Sequence, residues 1–145
     1  MDNENLESKI YTLLDELSEA VEVMESIMRV GENEFLRSKE LRYALRYSIV
    51  LAVEVSCDIG LIILKEFFNK EARGYRDVFM KLAEVGVLKA DVALRMASLA
   101  SLRNMVVHRY WGVDDLRIYS EAKRSGVGVI KEFINEVKRY VFKEA

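Results

Sequence analysis

A chain of 145 residues, 51% hydrophobic, with 22 Lys and Arg against 24 Asp and Glu, has the size and apolar share of one ordinary domain with a real core. That balance is the opposite of the disorder signature, and seven glycines without a single proline supply little punctuation for a strand-and-turn fold, which leaves long helices as the default. The lone cysteine excludes an internal disulfide framework, and with no basic start followed by an apolar run it fits a reducing, cytoplasmic setting.

The first 34 residues carry ten acids and two bases, which leaves 20 bases against 14 acids in the remainder. Only that remainder can attract an anion, and its excess is too modest for an extended nucleic-acid face. Within the acidic segment Leu6, Ile10, Leu13, Leu14, Leu17, Val21, Met24 and Ile27 recur at steps of three and four, one apolar face of a helix from about Glu4 to Arg29. Gly31 and Asn33 break it. A second helix is expected over Glu34 to Asn69, where Gly60 is the only breaker. Its most apolar part, Tyr47 to Leu64, is interrupted by Glu54 and Asp58, so no membrane span is expected. A short third helix follows over Tyr75 to Val85, with Gly86 as its C-terminal cap. A fourth, capped by Asp91, runs to about His108 and is apolar nearly all round, as suits the centre of a bundle or a subunit interface. Asp114 and Asp115 offer the next cap, and Leu116 to Phe142 forms a fifth helix, loosened at Ser125 to Gly128. The expected architecture is all-α: a single antiparallel bundle of about five helices over residues 1–145.

The segment from Leu102 to Gly112 holds the only histidine, flanked by Arg103 and Arg109 and followed by Tyr110 and Trp111. An arginine inside an apolar helix must find a carboxylate, a carbonyl or a phosphate, because an unpaired buried charge costs several kcal/mol. Glu54 and Asp58, four residues apart on one face of the second helix, are the candidate braces, and either would leave guanidinium donors for a phosphate. Arg103 and His108, five residues apart, lie about 140° apart on a straight helix. They converge only if the helix ends or bends, or if a cleft is shared between chains. A guanidinium fork matches phosphate oxygens, and an imidazole serves as base or acid near neutrality, though not both at once. If one step needs both, a twofold pair of chains would supply the second copy.

Arg103, four residues, His108, one residue, Tyr110, with Asn104 beside the arginine and a hydrophobic helix before it, resembles the signature of the HEPN superfamily in the form seen in HepT-like toxins of HEPN and MNT toxin-antitoxin pairs. The resemblance extends to Arg46–Ile59, Tyr75–Phe79 and Leu82–Leu88, and covers roughly residues 40 to 119. It implies a homodimeric, metal-independent endoribonuclease with no cofactor, catalytic Arg103 and His108, and Asn104 and Tyr110 shaping the cleft. It further implies that an MNT nucleotidyltransferase antitoxin transfers AMP to Tyr110, which would put negative charge where RNA phosphate should sit. The alternative is a non-catalytic accessory or substrate-binding subunit of a nucleotidyltransferase, in keeping with the mild charge. Among lesser features, Arg37, Lys39, Arg42 and Arg46 form a local basic patch, expected as a solvated face before an RNA guide. Trp111 reads as packing over the helix end, and Cys57 as a buried thiol without metal or redox partners.

Overall fold

In the computed structural model, which describes residues 3–108 and 112–143, every regular element among the described residues is helical. Helix α1 (Asn3–Val30) buries Leu6, Ile10, Leu14, Leu17, Val21, Met24 and Ile27 against α3 and α7 and turns its acids to solvent. The expected second helix is two. A short α2 (Glu32–Arg37) is pinned by the fully buried Phe35, whose ring lies 4.9 Å from that of Tyr119, and the chain then breaks at Ser38. The cause is a side-chain cap: Ser38 Oγ accepts the Leu41 N–H at 3.2 Å and so satisfies one of the unpaired amides that open α3 (Lys39–Phe68).

Helix α3 is long and apolar enough to cross a membrane by length and composition, yet Leu45, Ile49, Val53, Ile59 and Ile63 are buried within the bundle, where α3 packs against α1, α4 and α5. Gly60 sets the distance to α4 (Tyr75–Glu84): a Cβ there would collide with Val78 Cγ1 and come within 3.0 Å of Leu82 Cδ1. The entropic cost of glycine in a helix interior is offset by this close approach. Helix α4 ends at Gly86, φ 84°, where the Gly86 N–H bonds Ala83 O at 3.1 Å and the Val87 N–H bonds Leu82 O at 2.9 Å, a Schellman closure that needs a residue tolerant of positive φ.

Helix α5 (Ala90–His108) sends Val92, Met96, Leu99 and Leu102 into the core. It is not buried all round: Leu94 is 48% exposed, and Ser98 and Ser101 share that open strip, their hydroxyls bonded to the carbonyls of Leu94 and Ala97. Nor does Asp91 cap it. The buried carboxylate of Glu136 on α7 accepts the Lys89 N–H at 2.7 Å, while Asp91 lies 3.7 Å from Arg95. The last expected helix divides into α6 (Asp115–Glu121), capped by Asp114, and α7 (Val127–Val141), joined by a π turn over Ala122–Gly126. The irregularity thus begins three residues earlier than expected and meets the expected stretch at Ser125 and Gly126. Such turns accommodate one extra residue in the helical repeat, which hydrophobic periodicity hardly registers.

One ion pair fixes where α6 begins. Arg46 on α3 holds Asp115 through Nε at 2.8 Å and Nη2 at 2.6 Å, and Arg42 Nη1 approaches the same carboxylate at 3.5 Å. The two arginines read as a solvated basic face are therefore a clamp on α6. The Arg46 hydrogen bond is the main cause holding the Asp115 carboxyl below its ordinary range. A carboxylate lowered in the folded state contributes stability that is complete at neutral pH and lost as pH falls below about 4, through its folded-state pKa. Arg46→Ala should cost roughly 1–3 kcal/mol in denaturant unfolding at pH 7 and far less at pH 2, and an equal loss at both would contradict the pairing.

Candidate functional site

Arg103 leaves α5 on the side facing α3 and α4. Its Nη2 donates to Glu54 Oε1 at 2.5 Å, its Nη1 donates to Asn104 Oδ1 at 3.1 Å, and its guanidinium lies 4.9 Å from the centroid of the Tyr75 ring. The Tyr75 hydroxyl donates to the same Glu54 oxygen at 2.6 Å. One carboxylate oxygen therefore joins three helices. The Arg103 side chain is only 15% exposed, so the pair is charge-assisted in a medium poorer in water than the surface, whereas Glu54 remains 42% exposed at the rim. Of five guanidinium N–H groups, one on each terminal nitrogen is used by these bonds, and the buried Nε has no partner.

Burial, then the hydrogen bond to Glu54, pushes the Tyr75 hydroxyl up to about 12, so it stays a protonated donor at neutral pH and cannot serve as a base there. Burial likewise pushes the neighbouring Cys57 thiol up to about 11, with Asp58 and Glu54 adding to the effect, which removes it as a nucleophile. Asp58 is not the brace. It is exposed one turn beyond Glu54, its carboxyl raised by partial desolvation and by Glu54 and eased by Lys9 of α1. Tyr75 was missed as a member of the cluster by sequence reasoning: it opens α4 directly after Gly74, and nothing local signals that its ring will meet an arginine 28 positions on.

His108 is the last residue of α5 and is exposed, as is Asn104 one turn before it. Because α5 continues unbroken to His108, the two side chains of the motif leave the helix about 140° apart, His108 on the side of Ser101 and Met105 and Arg103 on the side of Glu54. Arg109, Tyr110 and Trp111 lie outside the described residues. On either side of them, His108 ends α5 and the Asp114 cap and Asp115 clamp open α6. Between α3 and the last turns of α5 runs an open groove of about 550 Å³ lined by Tyr43, Arg46, Tyr47, Val50, Val106 and Val113, in which Tyr43 and Tyr47 are 55% and 65% exposed.

A protein of Archaeoglobus fulgidus named "Putative RNase" is 28% identical over 92 residues, 63% of this chain and 68% of that protein. The tri-AMPylated HEPN toxin of Shewanella oneidensis, solved in complex with an MNT antitoxin, superposes with a TM-score of 0.81 at 19% identity, over 89% of this chain and 96% of that one. The cytosolic protein YutE of Bacillus subtilis gives 0.81 at 18% identity, over 94% and 91%. At such identities the structural likeness establishes a shared fold. The family profile described as ribonuclease HepT-like matches residues 17–137, which take in all of α2 to α6 and the Arg103 to Tyr110 motif, and the chain belongs to the HepT-like ribonuclease family.

Proposed function

We propose that the chain is the ribonuclease toxin of an HEPN/MNT pair, a metal-independent endoribonuclease of the cytoplasm that acts as a homodimer of one-domain subunits. The observation that carries this reading is Arg103, an arginine nearly buried in an apolar helix, fixed by Glu54 and Tyr75 and retaining donors beyond those bonds, on the same helix as an exposed His108. A guanidinium already ordered by a carboxylate loses less freedom on taking a phosphate than a mobile lysine would. In the reaction, a base takes the proton of the RNA 2′-hydroxyl, whose oxygen bonds to phosphorus. The bond from phosphorus to the 5′-oxygen breaks, and an acid delivers a proton to that leaving oxygen. The products are a 2′,3′-cyclic phosphate and a 5′-hydroxyl. Arg103 stabilises the charge gathering on the phosphorane, and His108 transfers protons.

One imidazole cannot be base and acid in the same step, and within a single chain it diverges from Arg103 by about 140°. A twofold mate answers both difficulties by bringing a second histidine and a second arginine across one cleft. The exposed Tyr43, Tyr47 and Val107, on and around the groove beside the α5 terminus, give that mate an apolar surface to cover. Asn104 holds the inner side of the cleft through its bond to Arg103. Tyr110, two residues past the histidine, is the acceptor of AMP from the MNT nucleotidyltransferase antitoxin. The added phosphate repels the RNA backbone and closes the cleft.

RNA incubated with the purified protein in chelator should be cut to cyclic-phosphate ends, with His108→Ala slower by about 10²–10⁴ and Arg103→Ala by about 10²–10³. Undiminished cutting by His108→Ala would sink its assignment, and binding of a nucleotidyltransferase with no cleavage by the wild type would favour an accessory subunit. In coexpression with the MNT partner, intact-mass measurement should find added AMP that disappears in Tyr110→Phe; the same mass gain in that variant would exclude Tyr110 as the acceptor.

A further inference from the structure

The face of α5 opposite Arg103 carries a polar groove that the proposed chemistry does not use. It lies between α5, α6 and the π turn, encloses about 320 Å³, and is lined by Arg95, Arg117 and Arg124, by Ser98, Ser101 and Ser125, and by one acid, Glu121. Three guanidiniums and one carboxylate line the groove, and two further carboxylates, Asp91 and Glu132, lie against Arg95 from its rim, so the positive charge that no described carboxylate offsets is that of Arg117. The arginines differ in their ties. Arg95 is shared among Ser125, Glu132 and Asp91, and Arg124 is held by Glu121 at 2.9 Å. Arg117 has no carboxylate partner among the described residues; the contact its guanidinium makes is with Met105 Sδ at 3.8 Å.

Helical geometry sets the direction of this groove. Ser98, Ser101, Met105 and His108 stand at successive steps of three, four and three, within an arc of about 80° on α5, and Arg103 falls well outside that arc. From Arg95 to Met105 the helix rises about 15 Å, and His108 lies one turn further. The groove therefore leads toward the imidazole, with Arg117 at the near end and Arg124 and Arg95 toward the π turn. The planar guanidinium fork of Arg117, which no carboxylate among the described residues engages, matches the oxygens of a phosphodiester, while Ser98 and Ser101, whose hydroxyls are given to the carbonyls of Leu94 and Ala97, form small polar walls beside it.

We propose that this groove is a binding track for the backbone of single-stranded RNA, holding the nucleotides that flank the scissile phosphate, with Arg117 the phosphate contact nearest His108. The inference rests on the ribonuclease reading and adds to it the path of the substrate. Base identity plays no part in such contacts, so the track confers affinity and register rather than sequence preference.

A fluorescent 2′-O-methyl oligoribonucleotide, which lacks the attacking hydroxyl and cannot be cut, separates binding from cleavage. Its dissociation constant is measured against salt for the wild type, Arg117→Ala, Arg117→Lys, Arg124→Ala and, as control on a distant face, Lys131→Ala. Arg117→Ala should weaken binding about tenfold and reduce the salt slope by about 0.7, the share of one single-strand phosphate. Arg117→Lys should restore the slope, Arg124→Ala should lose part of the affinity, and Lys131→Ala should change nothing. Each variant is melted to establish that it is folded. Wild-type binding with unchanged values for both Arg117→Ala and Arg124→Ala overturns the track while leaving the ribonuclease reading intact. No binding by the wild type overturns both. Weakened binding of AMP alone in Arg117→Ala, with RNA binding unaltered, would make the groove a mononucleotide site and also overturn the proposal.

Discussion

A positive charge placed in the middle of a core-facing helix has to be neutralised, and much of the bundle is arranged around that need. Arg103 is mostly buried on α5, so a carboxylate must come to it from another element, at a distance short enough to offset desolvation. Glu54 provides it from α3, the most hydrophobic helix of the chain, where an acid otherwise makes little sense. Tyr75 then closes the set by donating to the same oxygen while laying its ring against the guanidinium. These contacts require α3, α4 and α5 to converge closely, and the missing Cβ of Gly60 lets α4 come near enough to α3. Because a buried ion pair contributes little net stability compared with a well-packed apolar pair of similar volume, its presence is more simply explained by its chemistry than by packing.

The same helix serves two purposes on two sides. Toward α3 and α4 it carries the ordered guanidinium; toward α6 and the π turn it carries serines, a methionine and finally the histidine, beside arginines from the neighbouring elements. Rigid helices are suited to holding such groups in register, while the Arg46–Asp115 pair and the Asp114 cap fix the start of α6. Geometry that separates the two motif residues within one chain is the reason for proposing a second chain, which would return across the cleft what the helix sends apart.

The periodic features of the fold were legible in the sequence. The stripe of α1 and the apolar run of α5 follow from spacing, and the glycine end of α4 from capping chemistry, whereas the Asp91 cap expected for α5 does not form. What escaped depended on contacts distant in sequence or on single residues without a periodic trace. Ser38 splits the second helix because one hydroxyl captures one amide, in a stretch that has neither glycine nor proline. Arg42 and Arg46 read as solvated because Asp115 lies 69 positions beyond Arg46. The choice between Glu54 and Asp58 could not be made from α3 by itself: both lie on one face, and only the path of α5 decides which of them meets Arg103.

The most direct test of the central claim, that Glu54 orders Arg103 for phosphate, is single-turnover RNA cleavage by Glu54→Gln beside the wild type and Arg103→Ala. Glutamine keeps an acceptor for Tyr75 but removes the charge, so the rate should fall about tenfold with the fold intact and substrate affinity little changed. Wild-type rates in Glu54→Gln, with Arg103→Ala inactive, would mean that the arginine works without its brace and would contradict the account.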